Sequence, residues 1–197
     1  MYEQSDDFFT VVSEECLCAF QKYESIDPVD LSTKIMNIEE FPMHAPVHHF
    51  LVPAVLLTAA RKAQGHSIEV LERDLNEALE RAKQVQGGSC GFLGACGASV
   101  GCGIFFSLIT DSSPYSTKTW SLVNKATSKA LGAISDTVGP RCCKRCTWLS
   151  LLSIKEDIDK LAIDISLKAK ENVICEFHER NEECITHLCP FYPIEEL

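Results

Sequence analysis

The chain has 197 residues, 46% of them hydrophobic and 23% charged, which allows one sizeable core and excludes a largely disordered chain. Its formal net charge is −10 and its pI lies near 5.0, a balance that repels phosphates and excludes non-specific nucleic-acid binding.

The N-terminal MYEQSDDFFTVVSEECL has no cationic head and no long apolar run, so it does not read as a signal peptide. A cytoplasmic location, with reduced thiols, is expected. Residues 5–23 carry Phe8, Phe9, Val12, Cys16 and Phe20 at helical spacing behind Ser5 and Asp6 as caps. Pro28 opens a second helix in SIDPVDLSTKIMNIEEF. A third is predicted from Pro46 to Ala63, with Pro53 as a kink and Gly65 as its end. The clearest helix is HSIEVLERDLNEALERAKQV, where Ser67 can cap and Ile68, Leu71, Leu75, Ala78, Leu79 and Ala82 form one apolar stripe. Further helices are predicted over 95–109, over 117–138 up to Gly139-Pro140, and from Arg145 to Leu167.

No segment alternates with period two, so the fold class is all-α: a single compact multi-helix domain. Its last stretch, CEFHERNEECITHLCPFYP, is too rich in Cys and Pro for a plain helix and reads as a loop-rich cap. The expected division is a helical N-terminal appendage over 1–26 and a cysteine-rich all-α domain over 27–197.

Seven of the ten glycines fall between Gly87 and Gly103, with Cys90, Cys96 and Cys102 spaced evenly among them. The uncharged run from Gln84 to Thr110 is long enough to cross a bilayer, and Gly97 and Gly101 form a GxxxG step. Its few bulky side chains before Ile104, its serines and its lack of an aromatic belt argue against a span. Each glycine inside a helix costs roughly 1 kcal/mol relative to Ala, so several together need a reason. Close helix packing is one. The preceding GGSCGFLG is another matter, a glycine loop that leads into a helix N-terminus, where backbone amides favour thiolates and anions. Cys90 and Cys96 therefore suit metal or sulfur chemistry, and Cys102 suits packing.

Eleven cysteines are many for a reduced compartment, and their odd number forbids complete pairing. Cys142 and Cys143 adjoin, so their side chains diverge. Cys143 and Cys146 form a CxxC without a second CxxC to support it. Arg141, Lys144 and Arg145 make the one dense basic spot in an acidic chain and suit an anionic substrate or cluster. Cys175, Cys184 and Cys189-Pro190 follow, the last a pairing also seen in ferredoxin cluster loops. His44, His48 and His49 crowd one helix start, with His44 and His48 spaced to share a face. No HExxH, GxSxG, P-loop or dinucleotide fingerprint is present.

Three pieces, MHAPVHHFLVPAVLLTA, CGFLGACGASVGCGIF, and GPRCCKR with CEFHERNEECITHLCPFY, resemble an uncharacterised cysteine-rich domain-of-unknown-function family. That family occurs mainly in anaerobic bacteria and archaea and is sometimes joined to methyltransferases or found beside them. The resemblance covers Asp27 to Tyr192. It implies functional positions at His44, His48, His49, Cys90, Cys96, Arg141, Cys142, Cys143, Cys175, Cys184 and Cys189. Ala45 and Val47 stand where the family usually reads Gly and Glu, and Cys102 and Cys146 look peculiar to this chain.

The expectation is a cytoplasmic iron–sulfur protein, a redox or sulfur-handling enzyme acting on a small anionic substrate. Cys90, Cys96, Cys142, Cys143, Cys175, Cys184 and Cys189, with His44, would hold the metal at one pole, and His48, His49 and Arg141 would act on substrate. The alternative is zinc on four of the same cysteines, fastening the cap of a helical binding module that acts through a protein partner. A metal-free thiol enzyme using Cys142, Cys143 and His48 is a third reading. Neither nucleic acid nor membrane is an expected partner, and homo-oligomerisation is left open.

Overall fold

A computed structural model describes residues 5–161, 165 and 172–193. Among these the fold is all-α, without a strand. The helices are α1 (Ser5–Lys22), α2 (Pro28–Met36), α3 (Val47–Ala63), α4 (Ile68–Ala82), α5 (Ser89–Phe92), α6 (Gly97–Ile109), α7 (Thr119–Ser135), α8 (Cys143–Ser153) and α9 (Lys155–Asp159). Two 3₁₀ turns, His178–Arg180 and Thr186–Leu188, follow in the cap. No helix among the described residues is long and apolar enough to cross a membrane.

Helix α3 is the axis of the molecule. It is apolar on nearly every side, and almost all of its residues from Val47 to Arg61 are buried. Helices α1, α2, α4, α6 and α8 all pack on it. Asp27 caps α2 by accepting the amides of Val29 and Asp30 at 2.7 and 3.2 Å. Helix α1 buries Phe9, Val12, Cys16, Ala19 and Phe20 in the same core as α3 and α4. In α4 the apolar stripe is buried through Leu71, Leu75, Ala78 and Ala82. Asp74 is buried with it, compensated by Arg61 at 2.7 Å and Arg73 at 2.8 Å.

The glycines of α6 are there for close approach. A Cβ on Gly101 would meet Pro53 Cδ at 2.8 Å and the His49 carbonyl at 3.0 Å, and one on Gly97 would overlap the His49 ring. Pro53 removes the amide that would have bonded that carbonyl within α3. The GxxxG step therefore lays α6 directly on α3 and fixes His49 beneath its first turn.

Two predicted elements differ. The GGSCGFLG stretch is not all loop, because Gly88 turns the chain at φ 87° into the single helical turn of α5. The helix predicted from Arg145 to Leu167 starts earlier, at Cys143, and breaks at Ile154 (φ −102°, ψ 5°). Past the break Asp157 is buried against Lys129 of α7 at 2.7 Å and Lys160 at 2.9 Å. The remainder of that prediction, at 162–164, 166 and 167, lies outside the described residues.

The cap is clamped onto α8 by aromatic rings. Trp148 stacks on Phe177 at 5.8 Å and meets Phe191 edge-on at 5.2 Å. The Cys175 amide donates to the Phe191 carbonyl at 2.7 Å, tying the cap's two ends together. Lys144 is fully buried below them, its Nζ donating to the Met36 carbonyl at 3.2 Å and lying 4.4 Å from the Phe41 ring and 4.7 Å from that of Phe177.

Candidate functional site: two cysteine-lined spaces on either side of α8

All eleven cysteines are free thiols. Three take no part in either space described below. Cys18 is exposed on α1, Cys16 is buried in the core with its pKa pushed up to about 12 by desolvation, and Cys102 is buried with its thiol donating to the Ser150 carbonyl at 3.5 Å. The other eight separate into two sets at the start of α8, where Cys142 is the N-cap and Cys143 the first helical residue.

The first set faces a cavity of about 810 Å³. Cys90 reaches it from α5, Cys96 from the N-cap of α6, and Cys143 and Cys146 from the first turn of α8. The 143 and 146 positions are three apart, so one helix face carries both. His48 and His49 line the cavity from α3, Arg141 and Arg145 from the α8 entry, and Glu183 from the cap. Cys96 faces the amides of Ala98 and Ser99 without a close cap bond. The interaction between the neighbouring Cys146 and Cys96 thiols lowers the pKa of Cys96 to about 6 and pushes that of Cys146 well above the ordinary thiol value. Burial, then the nearby Cys96, pushes Cys143 up to about 12.

The second set surrounds a tight space of about 20 Å³ under the cap. Cys142, Cys175, Cys184 and Cys189 all line it, together with Trp148, Phe177 and Arg145. The Phe177 amide donates to Cys175 Sγ and the Thr186 amide to Cys184 Sγ, each at 3.4 Å. The Cys142 sulfur faces the amides of Arg145 and Lys144, although burial keeps its pKa raised. Burial first, opposed by the Phe177 amide and supported by the neighbouring thiols, raises Cys175 to about 11. Among the described residues no three His, Cys, Asp or Glu side chains are grouped so as to hold a metal ion as they stand.

The candidate residues read from the sequence thus divide. Cys90, Cys96, Cys143, His48, His49 and Arg141 line the open cavity, and Cys142, Cys175, Cys184 and Cys189 the tight one. His44 lines neither; its Nε2 lies 3.2 Å from Asn181 Oδ1 and 3.4 Å from Glu183 Oε2, so it ties the cap to the α3 entry. Burial lowers the pKa of all three histidines, furthest for His48, whose Nδ1 donates to the Ala45 carbonyl at 3.1 Å. His49 Nδ1 donates to the Val85 carbonyl at 3.0 Å. All three rings are therefore neutral at pH 7. Cys146, set aside in the sequence, is in the cavity wall beside Cys96 and Cys143. Its CxxC spacing from Cys143 was the available signal.

The fold and these two spaces define an all-α protein with clustered free thiols. The chain belongs to a family of unknown function (DUF5714), whose model matches residues 15–192. That match begins inside α1 and runs through both cysteine sets. No curated protein and no solved structure matches the chain.

Proposed function

We propose that this chain is an iron–sulfur protein that performs redox or sulfur chemistry on a small anionic substrate. Cys142, Cys175, Cys184 and Cys189 hold the centre under the cap, and the adjoining cavity takes the substrate. The observation that carries this reading is the junction at α8. Cys142 and Cys143 adjoin yet line different spaces, and Arg145 lines both. A centre in the cap would stand one residue away from the thiols of the cavity.

The quartet supplies the soft donor type that a thiolate-held centre takes. Four soft donors surround one space, and backbone amides already point at the sulfurs of Cys175 and Cys184. When bound, such a centre supplies single electrons at a potential set by those hydrogen bonds. Arg141, exposed at the cavity wall, attracts the anion. His48 and His49, whose Nδ1 atoms donate to the Ala45 and Val85 carbonyls, keep Nε2 as a neutral hydrogen-bond acceptor for a bound thiol or acid. A reducing, oxygen-poor cytoplasm suits this chemistry, and a link to methyltransferases belongs to the same proposal.

One observation favours a second reading. A space of about 20 Å³ is the size for a single ion, and four thiols match tetrahedral zinc. Zinc there would fasten the cap, and the protein would act through a partner. The test is purification without oxygen, followed by iron, zinc and acid-labile sulfide analysis. Iron with sulfide and broad absorbance near about 400 nm supports the first reading. Zinc alone in a colourless protein supports the second, and a metal-free protein overturns both.

A further inference from the structure

We propose that Cys96 and Cys146 form a reversible dithiol–disulfide pair that reduces a small, anionic disulfide in the 810 Å³ cavity. Neither sulfur belongs to the cap quartet, so this inference stands whether the cap holds iron, zinc or nothing.

The geometry is that of two thiols at neighbouring helix starts that line one cavity. Cys96 is the N-cap of α6 and Cys146 lies in the first turn of α8. Helices α6 and α8 pack together, which brings the two cysteines to one wall of the cavity. A disulfide between them requires Cα atoms within about 7 Å and Cβ vectors that face each other. Both residues are nearly buried and both line the cavity, so a substrate reaches them from the cavity side. At the N-cap of α6, the neighbouring Cys146 thiol and the amides of Ala98 and Ser99 favour the ionised form of Cys96, so Cys96 is the attacking sulfur. Arg141 supplies the charge that selects a carboxylate-bearing disulfide.

The chemistry balances without a further reagent. The Cys96 thiolate attacks one sulfur of the substrate RSSR, its S–S bond breaks, and RS⁻ leaves. That RS⁻ takes the proton of Cys146 and departs as RSH. The Cys146 thiolate then attacks Cys96 Sγ, the mixed disulfide breaks, and the second RS⁻ takes a proton from water. Two electrons pass from the two thiols to the substrate, and the protein is left with one Cys96–Cys146 disulfide.

The test uses the full chain, reduced without oxygen and mixed with glutathione disulfide as the anionic probe. Peptide mapping should show a Cys96–Cys146 disulfide and two glutathione molecules released per chain. Cys146→Ser should stop at a glutathionyl adduct on Cys96, and Cys96→Ser should slow release by roughly tenfold or more. Arg141→Gln should slow the reaction of the anionic probe and leave that of neutral dithiodiethanol unchanged. Because either cysteine variant can misfold, wild-type chain is also pulsed with iodoacetamide before and after the probe. Labelling at Cys96 should be fastest of the cavity thiols before the probe and absent after it. An adduct or disulfide located elsewhere, or Cys96 still labelled after exposure, overturns the proposal.

Discussion

The two cysteine-lined spaces are neighbours of opposite character. The cavity at α6 is about 810 Å³, open, lined by histidines and arginines, and carries the thiols of Cys90, Cys96, Cys143 and Cys146. The space under the cap is about 20 Å³, walled by Trp148 and Phe177, and is lined by four thiols, of which Cys175 and Cys184 accept backbone amides. Only the peptide bond between Cys142 and Cys143 separates the two sets in sequence. Adjacent residues at a helix start project in different directions, so one CC pair feeds both spaces. The difference teaches that a high thiol count need not mean one large site. Room and mobile protons suit reaction in the cavity, whereas tight walls and fixed donors suit retention under the cap.

The largest effect expected from breaking this contrast is on metal content. Cys184→Ser should abolish stoichiometric metal and loosen the cap, since thiolate metal sites contribute on the order of 10 kcal/mol to folding of the segment they hold. Cys90→Ser, on the cavity side, should leave the metal in place. Elemental analysis and limited proteolysis of the cap check both, and metal loss from Cys90→Ser would merge the two spaces into one site.

Next comes the helix contact that holds the cavity floor. Gly101→Ala forces a Cβ against Pro53 and the His49 carbonyl and should destabilise the fold by about 1–3 kcal/mol in denaturant titration. Gly91→Ala, with nothing within 4 Å of the added carbon, is the control and should stay within about 0.5 kcal/mol of wild type.

A smaller effect comes from acid. His48 has a folded pKa well below its ordinary 6.5 because burial, then the nearby Lys144, disfavours the cation. Below pH 6.5 the unfolded chain binds a proton that the folded chain refuses, so stability is full above that pH and falls as pH drops toward the folded value. The slope from one ring is at most about 1.4 kcal/mol per pH unit. His48→Gln should remove its share of that slope between pH 6.5 and 5, and an unchanged slope would show that His48 is not held neutral.

The smallest effect is at the cavity rim. Phe92 is 89% exposed and still lines the cavity. Phe92→Ser should change stability by no more than about 0.5 kcal/mol, yet alter the rate at which iodoacetamide reaches Cys96. A large stability loss would mean that the ring packs in solution.

The helices were legible in the chain because their signals are local. Asp27-Pro28 starts α2 by capping chemistry, and Leu71, Leu75, Ala78 and Ala82 mark the buried stripe of α4 by spacing alone. The glycine step at Gly97 and Gly101 offered close helix packing as one reason for its cost, and the contact with Pro53 and His49 supplies it. The break at Ile154 was not legible, since it goes with the burial of Asp157 against Lys129, a partner from a different helix. Nor was the division of the thiols. Residue type marks a cysteine as a donor, but which sulfurs share a space depends on how α3, α6, α8 and the cap meet. Cys96 and Cys146 are far apart in sequence, and only the packing of α6 on α8 joins them. Cys142 and Cys143 are as close as two residues can be, and the helix start at α8 turns them to different spaces.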